Sequence, residues 1–278
     1  MQKADLFLEC QKLNPINSKA INEILKEHEE HFRWFDEEIV LDVGCGPGDA
    51  TRYVLYPWLP EKARKTVLGV DISPVMKDVG NRNYKHSDVS FETLDVSSQD
   101  LSVILGNEKF QDGFSKIFSF YVFHWIHDMK TAFSNLYNLL KPQGQMLIMF
   151  PVSRQYQKLY KQMQEKEPWS TILKGVDRSV PNYFVNGDPK SELQSIANEA
   201  GFKVITCECT TIYEEFANVD ALKKLVGSLD SHINRIPIDL QDRYLEECIE
   251  IMRKNNLDEL EDGTVILSEK RITAFMEK

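Results

Sequence analysis

The sequence predicts an α/β fold, a Rossmann-like parallel sheet with helices on both faces, and three observations predict it. Strand-like and helix-like segments alternate from residue 38 to 150. A glycine-rich turn, LDVGCGPGD (41–49), follows the first strand directly. Two acids, Asp71 and Asp95, end the next two strands. Alternation of this kind calls for crossover helices that pack both faces of a parallel sheet.

The elements follow in order. Residues 1–35 read as an N-terminal arm and a helix over the active site. That helix begins near Ser18, a suitable N-cap, and places Ile21, Ile24, Leu25, His28 and Phe32 at helical spacing. The charged run from Lys26 to His31 is its solvated face. Residues 36–150 form the core. EIVLDVG (38–44) is a buried strand, and a helix starts near Asp49 after the glycine turn. Further strands are TVLGVDIS (66–73), VSFETLDVS (89–97) and FSKIFSFYVF (114–123). A helix over 131–144, stopped by Pro142 and Gly144, leads into QMLIMF (145–150).

Beyond Pro151 the periodicity changes, and 151–201 reads as a helical substrate roof. A helix rich in Tyr, Met and Trp covers 153–176; a loop with Pro181 and Pro189 precedes a second helix, 191–202, closed by Gly201 as C-cap. Residues 202–278 complete the sheet through strands at 202–213 and 264–278, with a helical insertion near 220–256.

Composition narrows the function classes. A length of 278 residues suffices for one large α/β domain with an elaboration. The net charge of −10 leaves no basic stripe for nucleic acid. No run of about eighteen apolar residues is present to span a membrane. Asp5, Glu9 and Lys12 interrupt the stretch where a secretory signal would be apolar. Five scattered cysteines suit reduced thiols, so the expected location is cytoplasmic. Cys207 and Cys209 alternate along one strand face, as small core residues or as half of a zinc site.

The glycine turn carries the chemistry. Gly44, Gly46 and Gly48 sit at the carboxyl edge of the sheet, where open α/β sheets bind ligands. Nicotinamide sites more typically use Gly-x-Gly-x-x-Gly to present a helix N-terminus to pyrophosphate. The shorter spacing here, with Pro47 inside it, favours a cofactor without phosphates. Asp71 can accept from both ribose hydroxyls, and Asp95 from an adenine amine, with the Val96 amide donating to the ring. Alternatively, both acids cap the following helices. His124 and His127 stand three apart, but no third metal ligand accompanies them, and Asp128 reads as a cap. No metal is expected.

Turn and acids together resemble the class I methyltransferase superfamily over about 36–150. The resemblance implies S-adenosylmethionine as cofactor. It sets Asp42 and Gly44 near the methionine moiety, with Gly46 and Gly48 completing the loop. Asp71 and its neighbour Ile72 fall at the ribose, Asp95 and Val96 at the adenine, and Ser119 and Phe120 beside the sulfonium. A narrower resemblance lies in FSFYVFHWIHDMKTAFSNLYNLLKPQG (118–144), ADLF…CQK (4–12), the loop 41–49 and DR…DP (177–189). These segments resemble the insect juvenile hormone acid O-methyltransferases, which implies methylation of the carboxylate of farnesoic and juvenile hormone acids.

The residues agree in kind. Phe118, Phe120, Tyr121, Phe123, Trp125 and Ile126 offer an apolar wall at the active edge, and Phe150, Tyr156, Tyr160, Met163, Trp169, Ile172 and Leu173 another in the roof. Each is equally readable as core packing. A carboxylate is already ionised at neutral pH and needs no general base. Alignment and exclusion of water remain as the enzyme's task. His124, the Trp125 indole and the Gln11 amide are the donors to hold it, the last two on the resemblance; a surface place for Gln11 and a packing role for Trp125 are the alternatives. One departure concerns 181–184, where the family shows Ser-Pro followed by His and this chain has Pro181, Asn182, Tyr183 and Phe184. It leaves open another fatty or terpenoid acid; apart from that loop, a methyltransferase of a polar small-molecule acid and a catalytically silent cofactor-binding paralogue are the rival readings.

Overall fold

The computed structural model describes residues 16–61, 64–152, 155–176, 183–184, 187–230 and 232–278. Strands β1 (Glu37–Val43), β2 (Arg64–Asp71), β3 (Val89–Thr93), β4 (Phe114–Phe120), β5 (Leu140–Pro151), β6 (Lys203–Phe216), β7 (Leu257–Glu259) and β8 (Val265–Glu277) form one sheet. Their order is β3-β2-β1-β4-β5-β8-β6, with β7 paired antiparallel to β8. Pairings among β1 to β5 are parallel, as the alternation requires. The strand order reverses on either side of β1, so a crevice opens where β1 and β4 end. In register, Val43 faces both Val70 and Ser119, and the three strand ends are level.

β4 is buried at all seven positions, the pattern of a parallel strand covered on both faces. That burial includes a charge. Lys116 and Glu38 pair at 3.3 Å with both side chains fully enclosed. The Ser115 hydroxyl donates to Glu38, and the Phe35 N–H donates to the same carboxylate at 2.7 Å. The ammonium also lies 4.8 Å from the centre of the Phe35 ring. Burial lowers the Lys116 pKa while Glu38 raises it. Extra partners of this kind are what a dry ion pair needs to offset its desolvation.

The chain divides into two compact units. Among the described residues, the first contains 18–61, 64–151, 183–184, 187–209 and 272–278. Its N-terminal helix, Ile16–Glu27, buries Ala20, Ile21, Ile24 and Leu25 on one side. Phe32 follows and packs on Phe275 at 4.9 Å and on Phe118 at 5.5 Å. The fully buried Gln145 amide binds this region together: it accepts from the Arg33 N–H and donates to the His31 carbonyl and the Glu277 carboxylate. The helix Met129–Leu139 starts at Asp128, whose side chain accepts from the Thr131 N–H as an N-cap should. Beside it runs Pro189–Ala200, capped by Asp188 and ended by Gly201 at φ 107°. A Cβ at Gly201 would come within 2.8 Å of the Tyr137 ring, so close packing as well as dihedral angle selects glycine.

Among the described residues, the second unit contains 16–17, 152, 155–176, 210–230 and 232–271. Its helices Gln155–Gln164, Val219–Leu229 and Ile238–Arg253 enclose Tyr160, Met163, Trp169, Leu173, Val226, Tyr244 and Cys248. Polar tips inside are satisfied: the Tyr160 hydroxyl donates to the Val226 carbonyl at 2.6 Å, and Tyr244 to Asp230 at 2.7 Å. For Tyr160, Met163, Trp169 and Leu173 the packing alternative is realised, since all belong to this core. Glu269 sits here at 5% exposure, accepting from Gln155 at 3.0 Å, and burial with Glu214 nearby pushes its pKa up to about 8 against the pull of Arg271.

Several boundaries move. The expected helix 131–144 ends at Leu139, and Pro142 and Gly144 belong to β5, which begins at Leu140 opposite Phe114. The expected helix 153–176 is two helices, Gln155–Gln164 and Trp169–Ile172. The third and fourth strands stop early, at Thr93 and Phe120, and β7 is an addition.

Candidate functional site

The glycine turn is built by hooks onto β2. The N–H groups of Gly44 and Cys45 both donate to the Val70 carbonyl, at 2.7 and 3.0 Å. Gly44, Gly46 and Gly48 all have positive φ. Two of them are also sterically obligatory, since a Cβ would lie 2.1 Å from a Val122 methyl at Gly44 and 2.5 Å from the Phe91 ring at Gly48. Nothing lies within 4 Å of the Cβ direction at Gly46. Backbone there is bare, as a ligand-contacting loop requires. A helix begins at 49, as expected, and its turn Thr51–Leu55 is π-helical, a widening frequent at functional sites.

Asp71 braces this turn. One oxygen accepts from the Gly46 N–H at 3.1 Å and the other from the Ser73 N–H at 2.8 Å. Ser73, not Asp71, is the N-cap of the next helix, Pro74–Asn83, so the capping alternative fails here. Both bonds fix the carboxylate at the end of β2, beside the turn. Ile72 beside it is 67% exposed. Asp95 makes a similar local turn, accepting from the N–H and hydroxyl of Ser97, and no helix starts directly after it. Val96 is buried, and its carbonyl accepts from the Asn135 amide at 2.9 Å. The same amide donates to the Ser98 carbonyl at 2.7 Å, pinning the turn that carries Asp95. Sequence reasoning missed Asn135; a polar residue in the apolar helix Met129–Leu139 was the available signal.

Asp42 lies beneath the loop at 5% exposure and accepts from the Thr51 hydroxyl at 2.6 Å. Burial pushes its pKa up to about 7; the Thr51 bond opposes the shift, and Asp49 and Asp71 add to it. Thr51 is a second residue the sequence did not single out. Ser119 is fully enclosed, and its hydroxyl donates to the Val43 carbonyl at 3.1 Å. Phe120 is buried beside Phe118, ring centres 6.1 Å apart.

After β4 the chain turns sharply. Tyr121 has φ 61° and donates its N–H to the Met149 carbonyl at 2.7 Å. A 3-10 turn, Phe123–Trp125, follows, closed by the Trp125 N–H on the Val122 carbonyl. Phe123 packs inward on Phe133 and Phe150. His124 is buried, and burial pushes its pKa down to about 3, so its imidazole is neutral. Trp125 is 39% exposed, its ring 4.9 Å from that of His124, which removes the core-packing alternative. His127 is exposed where His124 is buried, and among the described residues no three His, Cys, Asp or Glu are grouped to hold a metal. Of the divergent loop, Phe184 packs on Phe150 at 5.8 Å, and the Tyr183 hydroxyl accepts from the Met129 N–H. Gln11 lies outside the described residues.

The crevice therefore offers a bare glycine backbone, a carboxylate at the end of β2, a second just beyond β3, and an exposed indole. These fit a nucleoside-bearing cofactor. A model of the methyltransferase domain matches residues 10–207. The chain is 32% identical over 258 residues to the juvenile hormone acid O-methyltransferase of Bombyx mori, covering 92% of this chain and 88% of that one. It is 28% identical to the enzyme of that name from Drosophila melanogaster, over 100% and 93% of the two chains. The fold is similar to phosphoethanolamine N-methyltransferase 2 of Haemonchus contortus, solved with S-adenosyl-L-methionine, at a TM-score of 0.51 and 16% identity over 92% of this chain and 52% of that one.

Proposed function

This chain belongs to the methyltransferase-domain family and to its juvenile hormone acid O-methyltransferases, and on that premise we propose that it esterifies an apolar terpenoid acid. It is an S-adenosylmethionine-dependent O-methyltransferase. The finer reading, a juvenile hormone acid or farnesoic acid carboxylate as acceptor, is carried by one observation: an exposed indole, Trp125, ends the 3-10 turn that follows the strand ending beside the glycine turn.

The cofactor supplies an electrophilic methyl group. Around it, Asp71 accepts from the ribose hydroxyls while keeping Gly46 in place. Asp95, held by Ser97 and the Asn135 pin, presents its remaining oxygen to adenine. Asp42 sets a carboxyl below the loop that ionises readily when a cation approaches. Trp125 donates its indole N–H to the acceptor carboxylate, with neutral His124 behind it. Gln11 serves as a further donor. No residue needs to take a proton, because the acid arrives ionised. Holding two reactants in line and apart from water accounts for the acceleration.

A small-molecule acid as partner and a cytoplasmic setting belong to the same proposal, in keeping with a net charge of −10 and five scattered cysteines. No helix among the described residues is long and apolar enough to cross a membrane. A panel of carboxylic acids with isotope-labelled S-adenosylmethionine, read by mass for methyl esters, tests the assignment. Esters of the terpenoid acids are expected. Turnover confined to polar acids, or no turnover in a protein that binds the cofactor, would overturn it.

A further inference from the structure

Tyr121 holds a backbone conformation that tyrosine rarely adopts. Its φ of 61° is in the left-handed region, where a Cβ crowds the following carbonyl. The site of this strain is specific. Tyr121 is the first residue after β4, and its N–H still reaches the Met149 carbonyl on β5 at 2.7 Å. Without the left-handed turn the strand would continue along β5, whose own strand runs to Pro151. With it, the next residue leaves the sheet, and Val122 settles on Gly44 so closely that a Cβ there would meet its methyl at 2.1 Å.

Something must hold the turn against relaxation. The Tyr121 ring packs on the cluster containing Phe118, Phe120 and Met149, so the side chain anchors the residue while the backbone bends. We infer that Tyr121 is a positioning residue of the cofactor site, its left-handed backbone seating Val122 on Gly44 and thereby fixing the glycine turn. The device acts through Val122. It depends on the cofactor assignment alone, so it stands or falls separately from the identity of the acid.

Three variants test it, with S-adenosylhomocysteine affinity by calorimetry as readout. Tyr121→Phe keeps the ring and the turn and should bind within about threefold of wild type. Tyr121→Gly loses the ring but adopts positive φ without strain, and should also stay within about threefold. Tyr121→Ala loses the anchor and keeps the strain. Its turn should relax and its affinity fall about tenfold, equivalent to about 1.4 kcal/mol. A residue that only stabilised the fold would shift the melting temperature and leave this affinity untouched well below it. Methyl-labelled NMR should show the Val122–Gly44 contact kept in the Gly variant and lost in the Ala variant. Should the Ala variant not fold, the Gly variant decides: a tenfold loss there would assign the effect to ring packing and overturn the inference. Equal affinity in Ala and Gly variants would overturn it too.

Discussion

Asp71 accepts a hydrogen bond from the Gly46 N–H at 3.1 Å across twenty-five positions of sequence. The residue expected to hold the ribose thus also shapes the loop over the cofactor. Asp71→Ala should weaken S-adenosylmethionine binding at least about tenfold, since each hydrogen bond to a charged group contributes roughly 1.5–3 kcal/mol. Calorimetry on the folded variant is the measurement, and an unchanged dissociation constant would place the ribose elsewhere.

Asp42 should make cofactor binding pH-dependent. Burial keeps it protonated up to about pH 7, whereas a sulfonium or ammonium nearby favours the carboxylate. Binding should therefore release a proton below that pH, and affinity should rise towards pH 7 and level off above. Calorimetry at pH 6.5 in buffers of different ionisation enthalpy would report the proton. Asp42→Asn should release none; the same release from that variant would acquit Asp42.

Trp125→Phe deletes one donor and keeps most of the apolar surface. Turnover of the accepted acid should fall roughly ten- to a hundredfold, from about 1.5–3 kcal/mol of lost charge-assisted bonding, with cofactor affinity nearly unchanged. Wild-type turnover would leave the indole without a role in holding the carboxylate.

Activity should survive prolonged chelation. The proposed reaction calls on no Lewis acid, and His124 is buried where His127 is exposed. Loss restored by a divalent ion would count against this mechanism.

Glu269 links pH to stability. Its folded-state pKa of about 8 lies above the ordinary value of 4.5, so the protonated form favours folding. That contribution is complete below about pH 4.5 and is lost as pH rises through about 8. Glu269→Gln removes the group that ionises at cost. The melting temperature of the variant relative to wild type should climb between pH 6 and 9; a constant difference would contradict the assignment.

How far the sequence could be read depended on range. The glycine turn, the strands before Asp71 and Asp95, and Gly201 as a C-cap are local signals, and each lies where its neighbours predicted. Pro142 and Gly144 misled because β5 begins before them and accommodates both where its pairing with β4 is interrupted, between Leu140 and Gln145. The Tyr121 turn leaves no local trace, since the residue with positive φ is not a glycine and it packs on a cluster drawn from distant strands. Exposure of Trp125 and burial of His124 depend on a 3-10 turn three residues long, below the reach of any periodicity. The pairing of Asn135 with Val96 joins positions thirty-nine apart, and the raised Glu269 depends on which residues of β6 lie near β8.

The enclosed pair of Glu38 and Lys116 restricts how this chain can diverge. Replacing either alone would strand a charge in a dry interior, at a cost of about 3–5 kcal/mol, comparable with the whole stability of many domains. Replacing both with apolar residues of similar volume can be neutral or better. Viable sequences therefore occupy two separate regions, one with both charges and one with neither, joined only by intermediates that fold poorly. Among descendants of this chain the two positions should change together, and a lone survivor should occur only where a neighbour has taken over the missing charge.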